Sequence, residues 1–193
     1  MRIRFQPGYL VTSATPNPSP PDSAFIEFAQ EVFQLARTGD AQMLVRLLHK
    51  GLPPDMSNHK GDTLLMLAAY HGHAEATKAL LEAGAAPDRY NDMAQTPLGG
   101  AVYKGYLSIV ELLLTHGAQP DFAPPGGKTP LMFAAMFNRL DMVKLLLSHQ
   151  VDIDARSTEG LCALDLARQM GAVDTAAYLE TEMKSRRNGQ PMA

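Results

Sequence analysis

The sequence predicts an all-α solenoid of about five helix-turn-helix units, and three observations carry that prediction. First, one stretch is nearly rewritten at a fixed interval of 33 residues: "GDTLLMLAAYHGH" at 61–73, "AQTPLGGAVYKGY" at 94–106 and "GKTPLMFAAMFNR" at 127–139. Second, independent positions stay in phase, which is the mark of a repeat architecture. Thr63, Thr96, Thr129 and Cys162 form one series; Leu65, Leu98, Leu131 and Leu164 a second; Ala68, Ala101, Ala134 and Ala167 a third. Third, "LSIVELLLTHG" and "LDMVKLLLSHQ" place apolar residues at the i, i+3, i+4 spacing of an amphipathic helix.

Each unit reads as a turn, a short helix, a second turn and a longer helix. Thr96-Pro97 and Thr129-Pro130 supply an N-cap followed by a first helical residue that needs no amide donor. Gly72 and Gly105 stand where the first helix must stop, with Asn138 and Gly171 in the same register. Leu80, Leu113, Leu146 and Leu179 mark the second helix, and Gly84, Gly117 and Gln150 its end. A left-handed backbone at Gln150 would cost about 1 kcal/mol, whereas Asn tolerates that conformation better. Counting back from Gly72, Gly84 and Asp88 to Gly39, Gly51 and Asp55 gives a first unit. The units are then 24–56, 57–89, 90–122, 123–155 and 156–182. Helices this short are unstable alone, so stability must come from stacking one unit on the next.

The flanks differ from the array. Residues 1–23 hold Pro7, Pro16, Pro18, Pro20 and Pro21 and predict an extended arm. Residues 183–193, with "KSRRNGQPMA", predict a frayed basic tail. Arg168 and Glu180 replace apolar residues of the other units, as suits the polar outer face of a terminal repeat.

The 33-residue period, "TPL", "LAA" followed by Gly72-His73, and "LLL" followed by a Gly-Ala and Pro-Asp pattern together resemble the ankyrin repeat over roughly residues 24–182. The chain is also similar to the small stand-alone ankyrin proteins common in bacteria. The resemblance implies a protein-binding role through a concave face built from first helices and loop tips. It also makes His73 a packing or capping residue. The His that the family carries after "TPL" is absent, with Met66, Gly99, Met132 and Asp165 in its place. The inter-repeat hydrogen bonds that this His carries in the family are therefore not expected from these positions.

Composition narrows the function classes. Of 193 residues, 46% are hydrophobic and 19% charged, as in a globular chain rather than a disordered one. A net charge of −3 gives no sign of a nucleic-acid partner. One cysteine, Cys162, excludes an intramolecular disulfide and suits a reducing, cytoplasmic setting. No apolar run is long enough for a bilayer, and no signal peptide is read at the N-terminus, so no membrane partner is expected. His116 and His149 share a register, but no Cys or carboxylate cluster joins them into a metal site. Cys162 has no base near it in sequence, and "PPGGK" at 124–128 lacks the spacing of a phosphate loop. The expectation is therefore no catalysis, no cofactor, no metal and no small-molecule substrate.

What remains is surface. Tyr70, Tyr103 and Met136 follow the paired small residues at the same register, with His71, Lys104 and Phe137 beside them. Leu and Ala already supply the core, so these bulky groups predict a binding stripe. The competing reading is packing against the next unit's helix, and Met136 also suits core filling. The turn tips add His59, Lys60 and Asp62, then Asp92, Met93 and Gln95, then Lys128; they vary while the scaffold positions do not. The expectation is a monomeric module that binds a protein partner through stripe and tips. The alternative is a dedicated inhibitor or antidote that blocks a partner enzyme.

Overall fold

A computed structural model describes residues 23–189. Among these residues there are ten helices, paired into five repeats: α1 (Ser23–Thr38) with α2 (Ala41–His49), α3 (Leu64–Tyr70) with α4 (Ala74–Glu82), and α5 (Pro97–Lys104) with α6 (Leu107–Thr115). The last two pairs are α7 (Pro130–Met136) with α8 (Leu140–Ser148), and α9 (Ala163–Gln169) with α10 (Val173–Arg187). The odd-numbered helices form an inner row, each packed on the next; α2, α4 and α6 pack in turn behind them, and α8 packs on α10. Among the described residues the pairing of extended backbone is limited to one antiparallel bridge, Ser57 with Thr63, at the base of a finger-like turn.

The inner helices start as their caps dictate. Thr63, Thr96 and Thr129 each accept, through Oγ1, the amide three residues on, at 3.1, 2.9 and 3.2 Å. Cys162 stands at the same position, but there the bonding runs backwards. The Asp165 carboxylate accepts from the Cys162 amide and from its thiol, both at 3.1 Å. These two bonds hold the Asp165 carboxyl below its usual range. The inner helices stop at residues in the left-handed region: Gly72 and Gly105 both have φ near 87°. Absence of a side chain there has a second use. A Cβ on Gly72 would lie 2.9 Å from Tyr106 Cζ, and one on Gly105 would lie 3.0 Å from Arg139 Cζ. In the third and fourth repeats the residue after the helix stop thus lies against the stop glycine of the preceding repeat.

His73 belongs to that column. Its Nε2 donates to the Arg37 carbonyl at 2.7 Å, tying the second repeat to the end of α1. Hydrogen bonds between repeats also come from a second column, the aspartates spaced by one repeat. Asp55 accepts the Ala86 amide at 2.9 Å, Asp88 the Gln119 amide at 3.0 Å and Asp121 the Asp152 amide at 2.8 Å. These bonds join successive repeats without the His that the family carries after "TPL".

The tail was expected to fray from residue 183, but α10 continues through Arg187. The basic residues are the reason. Lys184 pairs with Glu180 and Arg186 with Glu182, each one turn apart at 2.9 Å, and the positive last turn complements the helix dipole. Glu180 also bonds Arg168 at 3.0 Å, so the two polar substitutions of the last repeat meet on its outer face. The proline-rich arm over residues 1–22 lies outside the described residues, and Ser23 is already helical.

Gln150 has φ 60° and Asn138 has φ 53°. Their environments differ. Asn138 Nδ2 donates to Asp174 at 2.8 Å and its Oδ1 accepts the Thr175 amide at 3.1 Å. Gln150 is exposed, and its backbone follows the helix stop of its register. Gln150→Gly is expected to raise stability by about 1 kcal/mol through relief of the left-handed strain. Asn138→Gly removes the side chain's hydrogen bonds to Asp174 and Thr175 while relieving strain, so it should leave stability unchanged or lower it. Chemical denaturation of both variants checks the contrast, and a Gln150→Gly variant no more stable than wild type would contradict it.

Candidate functional site

The inner row of helices and the fingers enclose a groove of about 570 Å³ across the second, third and fourth repeats. That is within the usual size of a ligand-binding cleft. One wall is aromatic. The Tyr70 and Tyr103 rings stack with centroids 6.4 Å apart and planes 8° apart, and Phe137 meets Tyr103 edge-on at 4.8 Å. Lys104 Nζ sits 4.6 Å from the Tyr70 ring centroid and 5.9 Å from that of Tyr103, a cation–π arrangement. Both readings of the stripe are therefore visible at once. The rings do pack on one another between repeats, and their free faces and edges still line the groove. Tyr103 is 39% exposed. Met136 lines the groove and also packs against the core.

The turn tips divide. Asp62, Met93, Gln95 and Lys128 line the groove with Tyr70, His71, Tyr103, Met136 and Phe137. His59, Lys60 and Asp92 lie outside it; Asp92 donates its amide to the Lys60 carbonyl at 3.0 Å, which links the second and third fingers. The finger tips are held from within. Asn58 Oδ1 accepts the amides of Lys60 and Asp62, and Asn91 Oδ1 those of Met93 and Gln95, all within 3.0 Å. Asn91 Nδ2 reaches back to Asp62 at 2.7 Å, and Asn58 Nδ2 holds the other Asp62 oxygen at 2.9 Å. Asp62 is thus committed to the scaffold, whereas Met93, 72% exposed, is held only through its backbone.

The floor of the groove was not singled out from the sequence. Gly99 and Gly100 line it, in the middle of α5. The second, fourth and fifth repeats carry Met66, Met132 and Asp165 at the first position and Leu67, Phe133 and Leu166 at the second. Two glycines in a helix cost about 1 kcal/mol each relative to alanine. The signal was present in "TPLGGAV", set against "TPLMFAA", but repeat spacing alone cannot tell a vacancy from a tolerated lapse. Phe133 was also missed; it covers the gap from the next repeat, 3.6 Å from where a Gly99 Cβ would stand.

Electrostatics at the helix end of the groove are one-sided. His71 is held below its ordinary value of 6.5, first by desolvation and then by the positive charges of His73, Arg37 and Lys104. Arg37 extends the tyrosine column into the first repeat, one period before Tyr70. Among the described residues no group of three His, Cys, Asp or Glu side chains is placed to hold a metal ion. His116 instead donates Nδ1–H to its own helix, at the Leu112 carbonyl, 2.9 Å away. Cys162 is buried at the head of α9 with its thiol given to Asp165, and the 124–128 glycines form a finger turn closed by the Gly127 amide on the Pro124 carbonyl.

A family model for ankyrin repeats in three copies matches residues 32–124 and 101–186. The chain belongs to the ankyrin repeat family. Ankyrin repeats are, in general, protein–protein interaction modules. A Pseudomonas aeruginosa protein described as an ankyrin repeat protein is 61% identical over 46 residues, which cover 24% of this chain and 27% of that relative. No helix among the described residues is long and apolar enough to cross a membrane.

The sign of the His71 shift has a consequence. On acidification the unfolded chain takes up the imidazole proton near 6.5 while the folded chain resists it. Stability therefore falls as pH drops from that value through the lowered one. An NMR titration should place the His71 midpoint below 6.5, and Lys104→Ala should move it upward. A wild-type midpoint at or above 6.5 would contradict the charge arrangement described.

Proposed function

We propose that this ankyrin protein is a non-catalytic, cytoplasmic binding module that takes a segment of a partner protein against its concave face. The observation that carries this reading is the aromatic wall of the groove. Tyr70, Tyr103 and Phe137 form a continuous ring surface whose open side is not needed to close the core, which Leu65, Leu98, Leu131 and the alanine column already fill. Aromatic side chains of this kind are the usual anchors of protein interfaces. The Tyr70 and Tyr103 hydroxyls carry no hydrogen bond within the described residues, so both are open to a partner's polar groups. A groove of this depth leads into a wider interface once the finger tips at Met93, Gln95 and Lys128 join it. About 800 Å² on each partner is the ordinary expectation.

The test is an affinity capture from native lysate with wild-type chain and with Tyr70→Ala/Tyr103→Ala, each shown to be folded by circular dichroism. A partner should be captured by wild type, and its affinity should fall at least about tenfold in the double variant. A partner held equally by both would move the site to the finger backs or the outer helices and return the two tyrosines to a packing role.

A further inference from the structure

The floor of the groove and the charges around it say what kind of segment fits. Gly99 and Gly100 leave a gap where the flanking repeats carry Met66 with Leu67 and Met132 with Phe133. The side walls of that gap are aromatic, with a Gly100 Cβ falling 3.4 Å from Tyr70 Cδ2 and a Gly99 Cβ 3.6 Å from Phe133 Cε2, while the capping Thr96 Oγ1 closes the Gly99 end at 3.0 Å, so the room lies over Gly100. One bulky side chain supplied from outside would restore the packing that the other repeats provide for themselves. The charges are just as selective. Lys128 lines the groove at its finger end; Lys104 is not a lining residue, but its Nζ lies 4.6 Å from the ring centroid of Tyr70, at the rim of the aromatic wall. Among the described residues neither forms an ion pair with a carboxylate. The acid lining the groove, Asp62, has both oxygens occupied by Asn58 and Asn91. Arg37, whose charge reaches His71, adds to the cationic side, while His71 itself is kept neutral by burial and by these charges.

Resting on the protein-binding reading above, we propose that the groove is an anchor site for an extended acidic peptide: one large apolar side chain enters the gap over Gly100, and a neighbouring carboxylate pairs with Lys104 or Lys128. The aromatic wall accepts the apolar residue, and the uncompensated lysines select an acid beside it over a base. A vacancy in one repeat of five also fixes the register of the segment along the stack, which a uniform aromatic stripe would not do.

Random peptides displayed on phage, panned against the full chain, test this directly. Enriched sequences should carry an aromatic or long aliphatic residue with Asp or Glu within two positions. Synthetic copies should lose at least about tenfold in affinity for Gly100→Leu, which gives the third repeat the side chain its neighbours have. That variant should be at least as stable as wild type, because leucine is the better helix former. Should Gly100→Leu not fold, Gly100→Met, whose flexible side chain can fill the same gap, takes its place. Lys104→Ala/Lys128→Ala should bring acidic peptides down to the affinity of their Ser-substituted copies. Absence of enrichment, enrichment of basic peptides, or unchanged binding by the folded Gly100 variant would each overturn the proposal. The two readings separate cleanly. A lysate partner that depends on Tyr70 and Tyr103 but is indifferent to Gly100→Leu keeps the binding module and removes the anchor. A partner indifferent to the tyrosines as well removes both.

Discussion

The constraint on which the rest of the structure depends is the close approach of neighbouring inner helices. Eight of the ten described helices have nine residues or fewer, too few to persist alone in water. They persist because each inner helix lies against the next with Ala68, Ala101, Ala134 and Ala167 fully buried between them. A methyl group at each of these positions sets the spacing. Larger side chains would push the repeats apart, and tightly packed interiors accommodate such insertions poorly. Leu65, Leu98 and Leu131, each about 1% exposed, fill what the alanines leave.

Once that spacing is set, further columns of residues come within reach of the neighbouring repeat. The aspartates reach the amides of the following repeat. His73, Tyr106 and Arg139 settle over the glycines behind them. The same spacing brings the Tyr70 and Tyr103 rings to stacking distance, with Lys104 poised over Tyr70. The candidate site is therefore not a separate device added to the scaffold. It is one more column of the repeat, on the face that no further layer of the described residues covers. The fourth repeat shows how the pattern bends without breaking. Asn138 replaces the stop glycine, Ala172 takes the place of the larger residue that would press on it, and the freed space is used by hydrogen bonds to Asp174 and Thr175.

The sequence by itself determined the period, the helix starts at Thr-Pro, the helix stops at Gly72 and Gly105, and the apolar face of each helix. All of these are local: capping, left-handed backbone and amphipathic spacing are settled within a few residues. The register also placed Tyr70, Tyr103 and Met136 on one face, because a strict repeat converts sequence distance into spatial adjacency. Its error at the C-terminus has a local cause too. Lys184 and Arg186 read as a solvated tail until their i−4 partners Glu180 and Glu182 are counted as helix supports.

Tertiary structure alone decided the rest. Whether the tyrosines faced solvent or the next helix depended on the distance between repeats, and at the observed spacing they do both. The turn tips separated into groove-lining and outlying residues according to how the Asn58 and Asn91 side chains fold each finger. Gly99 and Gly100 carried the largest hidden meaning. In the sequence they are two missing side chains; in the stack they are a gap with aromatic walls, because a vacancy acquires shape only from the neighbours that surround it.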